Sequence, residues 1–311
     1  MDVAMADAMR AVLSESTIVN HSAFVDAVAR GGANLSCAWK NSHSQWGEDL
    51  LLLPTILEDL SVHGNGDRAE FVEIGAFDGI HHSNSLMLER CFGFGGVLIE
   101  ANPRSYAILE YKRGFQRGRP NRTRTVHSAV CKRRPHGNRP DYTNVTSFHS
   151  TFSGRPDRMH SSFLSKFRAF IKPESTVSVP CRPMSEVLAG AGLSKAALLT
   201  VDVEGAEDIV VATLGRPTKF RVIAVEMDGR DLPKERRIDE MLVAGGMVAA
   251  QQLLIPNSRV YLHPAVIERP AGAFPLQLRG PQVAQDASKL WRRTRDKAVH
   301  ALYQAERLLA S

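Results

Sequence analysis

Two acidic, glycine-rich stretches carry the side chains best placed to do chemistry. One is Glu73-Ile74-Gly75-Ala76-Phe77-Asp78-Gly79 and the other is Asp202-Val203-Glu204-Gly205-Ala206-Glu207. Glycine lets the backbone come close to a ligand at a tight turn. The spacing in the first stretch is G-x-x-x-G, not the G-x-G-x-x-G of dinucleotide sites, and Glu73 and Asp78 would repel a pyrophosphate. Such a turn suits a cationic ligand with an amino-acid end, and S-adenosylmethionine, with its ammonium and sulfonium, is one. Glu100 lies 27 residues beyond Glu73, where an acid can accept hydrogen bonds from both ribose hydroxyls. Ala101 and Asn102 follow it and would line an adenine pocket.

These residues need a parallel sheet to gather them. Ala69 to Gly75, Val97 to Glu100 and Thr125 to Val130 read as strands, as do Ala197 to Val203 and Arg221 to Glu226. Helices alternate with them: one capped by Ser83, one opened by Pro103, and others over Ser185–Ala191, Gly205–Leu214 and Ile238–Ala244. Alternation of this kind predicts a mainly parallel sheet with helices on both faces, and ligands then sit beyond the carboxyl ends of the strands. Strand alternation sends Asp202 and Glu204 to the same side, and the next strand delivers Glu226. A hairpin of Met247–Leu254 with Arg259–Leu262 would close the sheet. Between Cys131 and Pro173 the pattern is lost, apart from a short helix at Ser161–Phe170, and Thr176–Val179 could be a short strand.

The chain has 311 residues, 43% of them hydrophobic and 23% charged, ordinary for a globular protein. No apolar run approaches about 18 residues, so no spanning helix is expected, and Met1–Thr17 lacks the pattern of a signal peptide. Cys37, Cys91, Cys131 and Cys181 are widely spaced without a CxxC pair, which predicts reduced thiols and a cytoplasmic setting. The net charge of +6 is local, because Lys112–Arg139 holds ten Lys or Arg and no acid. That block reads as a solvated face, a surface steering an acidic substrate, or a phosphate-binding patch. Phe115 is its only aromatic, which disfavours stacking of single-stranded nucleic acid.

Six blocks in order resemble the FkbM-type methyltransferases: Ser44-Gln45-Trp46-Gly47-Glu48-Asp49, FVEIGAFDG from Phe71, Ser83-Asn84-Ser85 with Leu88-Glu89, GFGGVLIEANP from Gly93, LLTVDVEGAE from Leu198, and VIAVE from Val222. The resemblance spans Ser44 to Leu262. It implies a Rossmann-like class I methyltransferase fold and S-adenosylmethionine-dependent methyl transfer to a hydroxyl of a sugar, glycan or small natural product. It places Gln45, Glu73, Gly75, Asp78, Ser83, Asn84, Glu100 and Asp202 near the cofactor, and Ala76, Gly79, Ala101 and Asn102 belong to the same turns. Asn84-Ser85 stands where the family often has Asn-Thr, which keeps the hydroxyl.

Methyl transfer to a hydroxyl needs a base, and the candidates are His81, His82, Asp202 and Glu204. Asp202, Glu204 and Glu226 could hold a divalent metal, but no spacing rule demands it, and no metal is expected. The organisation implied is an N-terminal extension over 1–43, a methyltransferase domain over 44–262 with an insertion at 132–172, and a C-terminal extension over 263–311. An amphipathic helix at about Val283–Leu309 would pack on the domain or touch a membrane surface through its Lys and Arg cluster. The acceptor is expected to be a small molecule or glycan, acidic if the basic block steers it. Nucleic acid is not the expected partner, since the chain has no Pro-Pro signature of adenine methylation. The rival readings are a non-catalytic binding protein of the same fold and a nicotinamide-dependent oxidoreductase, the latter disfavoured by the missing third glycine.

Overall fold

The structure is a computed structural model that describes residues 35–63, 70–114, 122–133, 141–147, 153–161, 164–165, 171, 175–251, 255 and 257–267. The expected N-terminal lead-in, residues 115–121 and 134–139 of the basic block, most of the helix at Ser161–Phe170 and the helix at Val283–Leu309 lie outside those residues.

Two helices, α1 (Leu35–Asn41) and α2 (Glu48–His63), precede strand β1 (Glu70–Ile74). Helix α3 (Leu86–Phe92), β2 (Gly95–Glu100), α4 (Pro103–Arg113) and β3 (Thr123–His127) follow. A second group then runs through β4 (Ala129–Val130), β5 (Asp141–Ser147), β6 (Ser153–Gly154) and β7 (Thr176–Arg182). The alternation resumes with α5 (Met184–Gly190), β8 (Ala196–Val201), α6 (Glu207–Thr213), β9 (Phe220–Glu226) and α7 (Leu232–Ala244). Strands β10 (Val248–Ala249) and β11 (Ser258–Leu262) and helix α8 (Pro264–Ile267) complete the order.

Seven strands form one sheet in the order β10-β11-β9-β8-β1-β2-β3. The pairs from β9 to β3 are parallel, while β11 runs antiparallel to both β9 and β10. This is a Rossmann-like, mainly parallel architecture, with the expected final hairpin at one edge.

The helices cover both faces, and the strands are accordingly apolar on both. Phe71, Leu98, Leu198 and Val222 pack with Leu52, Leu53 and Ile56 of α2, Leu88 of α3 and Leu109 of α4. Val72, Val97, Leu199 and Ile223 pack with Val187 of α5, Val210 of α6 and Leu242 of α7 on the other face. Alternation carries Glu73, Glu100, Thr200 and Glu226 onto the first face, at its carboxyl-terminal edge.

The expected third strand divides at Ser128: β3 stays in the main sheet, and β4 turns into a second sheet of order β4-β7-β5-β6. The segment read as a patternless insertion therefore contains β-structure. Its strand β5 (DYTNVTS) is only half-buried, with one apolar residue, Val145, facing inward. An alternation that short gives little signal.

The cysteines correct the reduced-thiol expectation. Cys37 of α1 is bonded to Cys91 of α3, and Cys131 to Cys181 of β7, with Cα–Cα distances of 5.7 and 5.6 Å. Separations of 54 and 50 residues have no spacing signature, so only the fold reveals the pairs. The second disulfide packs with Ala129, Val145 and Val179 in the core of the small sheet, against Ala101 at the end of β2. It ties the small sheet together next to the main one. Replacing Cys131 and Cys181 by serine should cost about 2–4 kcal/mol, or a fall of roughly 5–15 °C in Tm. Scanning calorimetry with and without reductant measures this. An unchanged Tm would mean that the bond contributes nothing.

Candidate active site

The carboxyl ends of β1, β2, β8 and β9 open into a cavity of about 290 Å³, near the lower bound of roughly 300 Å³ for small-molecule sites. The small sheet roofs it through Ala129, Val130, Val145 and Gly154.

Gly75 fixes how closely the strands approach at this edge. Its φ is +84°, and a Cβ there would lie 1.6 Å from the carbonyl oxygen of Asp202. Only glycine fits. The amide of Asp202 meanwhile donates to the Ile74 carbonyl at 3.1 Å, extending the β1–β8 pairing. Because Val201 is level with Val225 in the register, Asp202 stands beside Glu226 on the adjoining strand.

Glu73 is buried and accepts hydrogen bonds from Ser83 Oγ at 2.9 Å, the Asn84 amide at 2.8 Å and Ser85 Oγ at 2.5 Å. It thereby pins the loop after β1 across the cavity. Ser83 was expected to cap the next helix, but α3 begins at Leu86. The Ser83 hydroxyl still receives the Ser85 and Leu86 amides at 3.3 and 3.2 Å, so it organises the helix start from two residues upstream.

Asp78 is 4% exposed and does not line the cavity. Burial alone would raise its pKa, but Lys112 Nζ at 2.5 Å, the Ile80 and His81 amides and His81 Nδ1 at 2.8 Å outweigh that and hold it well below the usual carboxylate range. It locks the glycine turn and orients the His81 ring, and it does not itself face the cavity.

Glu100 is buried, with Oε2 accepting the Phe77 amide at 2.8 Å and Oε1 the Asn102 amide at 2.7 Å. Burial pushes its pKa up to about 7, against those amides, and Asp202 raises it further. Asn102 caps α4 by accepting from the Arg104 amide at 2.9 Å, and its Nδ2 donates to Ser147 of the small sheet at 2.7 Å. It joins the two sheets and is not part of the cavity wall.

Gln45 reaches the cavity from the loop before α2. Asp49 organises that loop, accepting from Ser42 and Ser44 hydroxyls at 2.8 and 2.6 Å, and Glu48 accepts the Trp46 amide at 2.8 Å. An isolated bridge between Ser44 and His82 joins the loop to the glycine turn.

Of the residues singled out in the sequence, Gln45, Glu73, Gly75, His81, His82, Asn84, Glu100, Ala101, Asp202 and Glu204 line the cavity. Ala76, Asp78, Gly79, Ser83 and Asn102 stand behind it. Sequence reading missed Thr200, Arg155, Arg230 and Asn257, which also line it; Arg155 and Asn257 sit in segments with no periodic pattern. Phe77, His82, Glu204 and Asn257, which all line the cavity, are non-glycine residues with φ of +49°, +59°, +52° and +57°, a conformation costing of order 1 kcal/mol or more. Such strain at four positions of one cavity wall accords with a working site.

A family model described as the methyltransferase FkbM domain matches residues 73–244. Among solved structures, the FkbM methyltransferase of Methylobacillus flagellatus KT is 11% identical, with a TM-score of 0.34, 77% of this chain covered and 59% of that one. Fibrillarin of Aeropyrum pernix, crystallised with natively bound S-adenosyl-L-methionine, is 14% identical, with a TM-score of 0.34 over 72% of this chain and 76% of that one. A fibrillarin pre-rRNA processing protein of Methanococcus jannaschii is 10% identical, with a TM-score of 0.34 over 63% of this chain and 66% of that one. No curated protein matches the chain by sequence.

The cavity suits S-adenosylmethionine on its own chemistry. Thr200 Oγ1 and Asn84 Oδ1 are buried in its wall without a hydrogen-bond partner, and a polar ligand would satisfy both. Glu100 sits where ribose hydroxyls can donate to it, while Glu73 and Asp202 offer negative charge to an ammonium and a sulfonium. Glu100→Ala should weaken binding of the cofactor at least tenfold, since a hydrogen bond to a charged group contributes ~1.5–3 kcal/mol. Asp78→Ala should lower Tm more than Glu100→Ala does, because it frees the turn. Calorimetric titration beside thermal melts separates the two effects; equal affinity in wild type and Glu100→Ala would remove Glu100 from the site.

The buried acids also set a pH dependence. Burial raises Glu48 to about 7 and Asp49 to about 6, in each case against hydrogen bonds that lower it. A raised carboxyl stabilises the fold while protonated, so this contribution is present below about pH 4 and is lost as pH rises through 6 to 7. Glu48→Gln should therefore flatten the decline in Tm between pH 5 and pH 8. A variant declining as steeply as wild type would show that Glu48 is not the group responsible.

Proposed function

As the chain belongs to the FkbM methyltransferase family, we propose that it transfers the methyl group of S-adenosylmethionine to a hydroxyl oxygen of a neutral sugar, glycan or small natural product. The donor supplies an electrophilic methyl on a positively charged sulfur. The protein's part is to hold the acceptor oxygen in line with that methyl, to exclude water and to take the hydroxyl proton. Positioning of this kind is worth up to ~7–11 kcal/mol in favourable cases, and a placed base adds about 10²–10⁴-fold.

The observation that carries the reading is the charge of the cavity. Glu73, Glu100, Asp202, Glu204, Glu226 and Asp228 line it, against Arg155 and Arg230. Arg230 is paired with Asp228 at 2.5 Å and Arg155 with Asp157 at 2.7 Å. An acidic acceptor, one expectation from the basic block, would meet repulsion here. A polyhydroxyl acceptor would instead meet hydrogen-bond acceptors, and a nucleic acid would bring phosphates to a negative wall.

The setting is proposed as an oxidising compartment. Two disulfides support this over the cytoplasm, where thiols are kept reduced. Among the described residues no helix is long and apolar enough to cross a membrane.

The test is a panel of neutral glycosides, uronic acids, phosphorylated sugars and RNA incubated with the protein and the methyl donor, followed by mass spectrometry. Formation of S-adenosylhomocysteine with a gain of one methyl on a neutral hydroxyl compound is expected. Turnover confined to the acidic or nucleic-acid members would contradict the charge argument.

A further inference from the structure

We propose that Asp202, Glu204 and Glu226 form a proton-exchanging carboxyl cluster: it releases a proton when the sulfonium charge arrives and accepts the acceptor's proton as that charge is consumed. This rests on the methyl-transfer reading above and names the group that completes it.

The geometry comes from two parallel strands and one strained turn. Asp202 follows β8 and Glu226 ends β9, and register sets them side by side. Their neighbouring carboxyls influence each other, which favours the ionised form of Asp202 and the protonated form of Glu226. Glu204 follows two residues after Asp202, with its left-handed backbone turning it into the same wall. All three are half-buried and line the cavity. On the same sheet face Thr200, 3% exposed, holds an unpartnered Oγ1 against the cavity, which is independent evidence that a polar ligand belongs there.

The surroundings do not neutralise the cluster. Glu73 from β1, Glu100 from β2, Glu207 from α6 and Asp228 beyond β9 add negative charge. Of the nearby cations, Arg155 is bound to Asp157 at 2.7 Å and Lys234 of α7 to Glu207 at 2.6 Å, while Arg230, bound to Asp228, only partly offsets the raised Glu204. His81 and His82 stand on the glycine-turn side of the cavity and His160 in a smaller recess behind Glu204. Burial, followed by repulsion from Asp202 and the other acids around them, holds Glu204 and Glu226 well above the usual carboxylate range, and burial raises Asp202 to about 6.

The charge balance follows. A cation placed against the cluster favours its ionised form, so a proton leaves when the sulfonium compound binds. Methyl transfer then forms the O–CH₃ bond and breaks the S–CH₃ bond. The electron pair returns to sulfur, which becomes neutral, and the acceptor's proton passes to the cluster. One positive charge is replaced by another, and the buried site never carries an excess.

S-adenosylmethionine and S-adenosylhomocysteine differ by this one charge, so they separate the idea from mere binding. Calorimetric titration of each into the wild-type protein, in two buffers of different ionisation enthalpy near pH 6.5, counts protons released. S-adenosylmethionine should release up to about one proton more than S-adenosylhomocysteine, and its affinity alone should rise with pH, by up to tenfold per unit. Glu226→Gln, which removes one titrating carboxyl at nearly the same size, should bind the sulfonium compound with a smaller release. Equal release by both ligands, with both bound, would overturn the cluster while leaving the methyltransferase reading intact. Binding of neither ligand to folded protein would instead remove that reading.

Discussion

A carboxyl group taken out of water must find hydrogen-bond donors or keep its proton, and this constraint governs the working edge of the sheet. Glu73 answers it with Ser83, Asn84 and Ser85, and in doing so fixes the loop after β1. Glu100 answers it with the Phe77 and Asn102 amides and so fixes the starts of two loops at once. Asp78 is supplied by Lys112 and its own turn. Asp202 and Glu226 stand side by side on adjoining strands, and burial first of all raises both carboxyls. The acids that are satisfied build the walls, and those that are not keep raised pKa values at the cavity.

This arrangement depends on close packing beneath it. Gly75 admits the Asp202 carbonyl where no side chain could fit, which brings β1 and β8 together at the point where the loops diverge. The two apolar layers on either face hold the strands in register. The small sheet closes the cavity from above, held by the Cys131–Cys181 bond and by the Asn102–Ser147 hydrogen bond. Fold and site are thus linked through a few backbone approaches.

Much of this was legible in the sequence because it follows from local period and turn chemistry. The βα alternation, the acidic strand ends and the glycine turn all announce themselves within a few residues. What stayed hidden depends on contacts between distant segments. The disulfides join residues 54 and 50 positions apart, and nothing local marks them. The second sheet rests on short strands with weak alternation, β5 burying one apolar residue, Val145, and Arg155 and Asn257 reach the cavity from loops. Asp78 looked like a ligand for the cofactor because it lies in the glycine turn. Its carboxylate is instead consumed by Lys112 of α4, 34 residues away, which no turn rule foretells.

The most direct measurement is a crystal structure of the protein with S-adenosylhomocysteine. The account predicts the ribose hydroxyls on the Glu100 carboxylate, the amino-acid end beside Asn84 and Thr200, and the sulfur facing Asp202, Glu204 and Glu226. A ligand bound elsewhere, or bound there with its sulfur turned away from those three carboxyls, would contradict it.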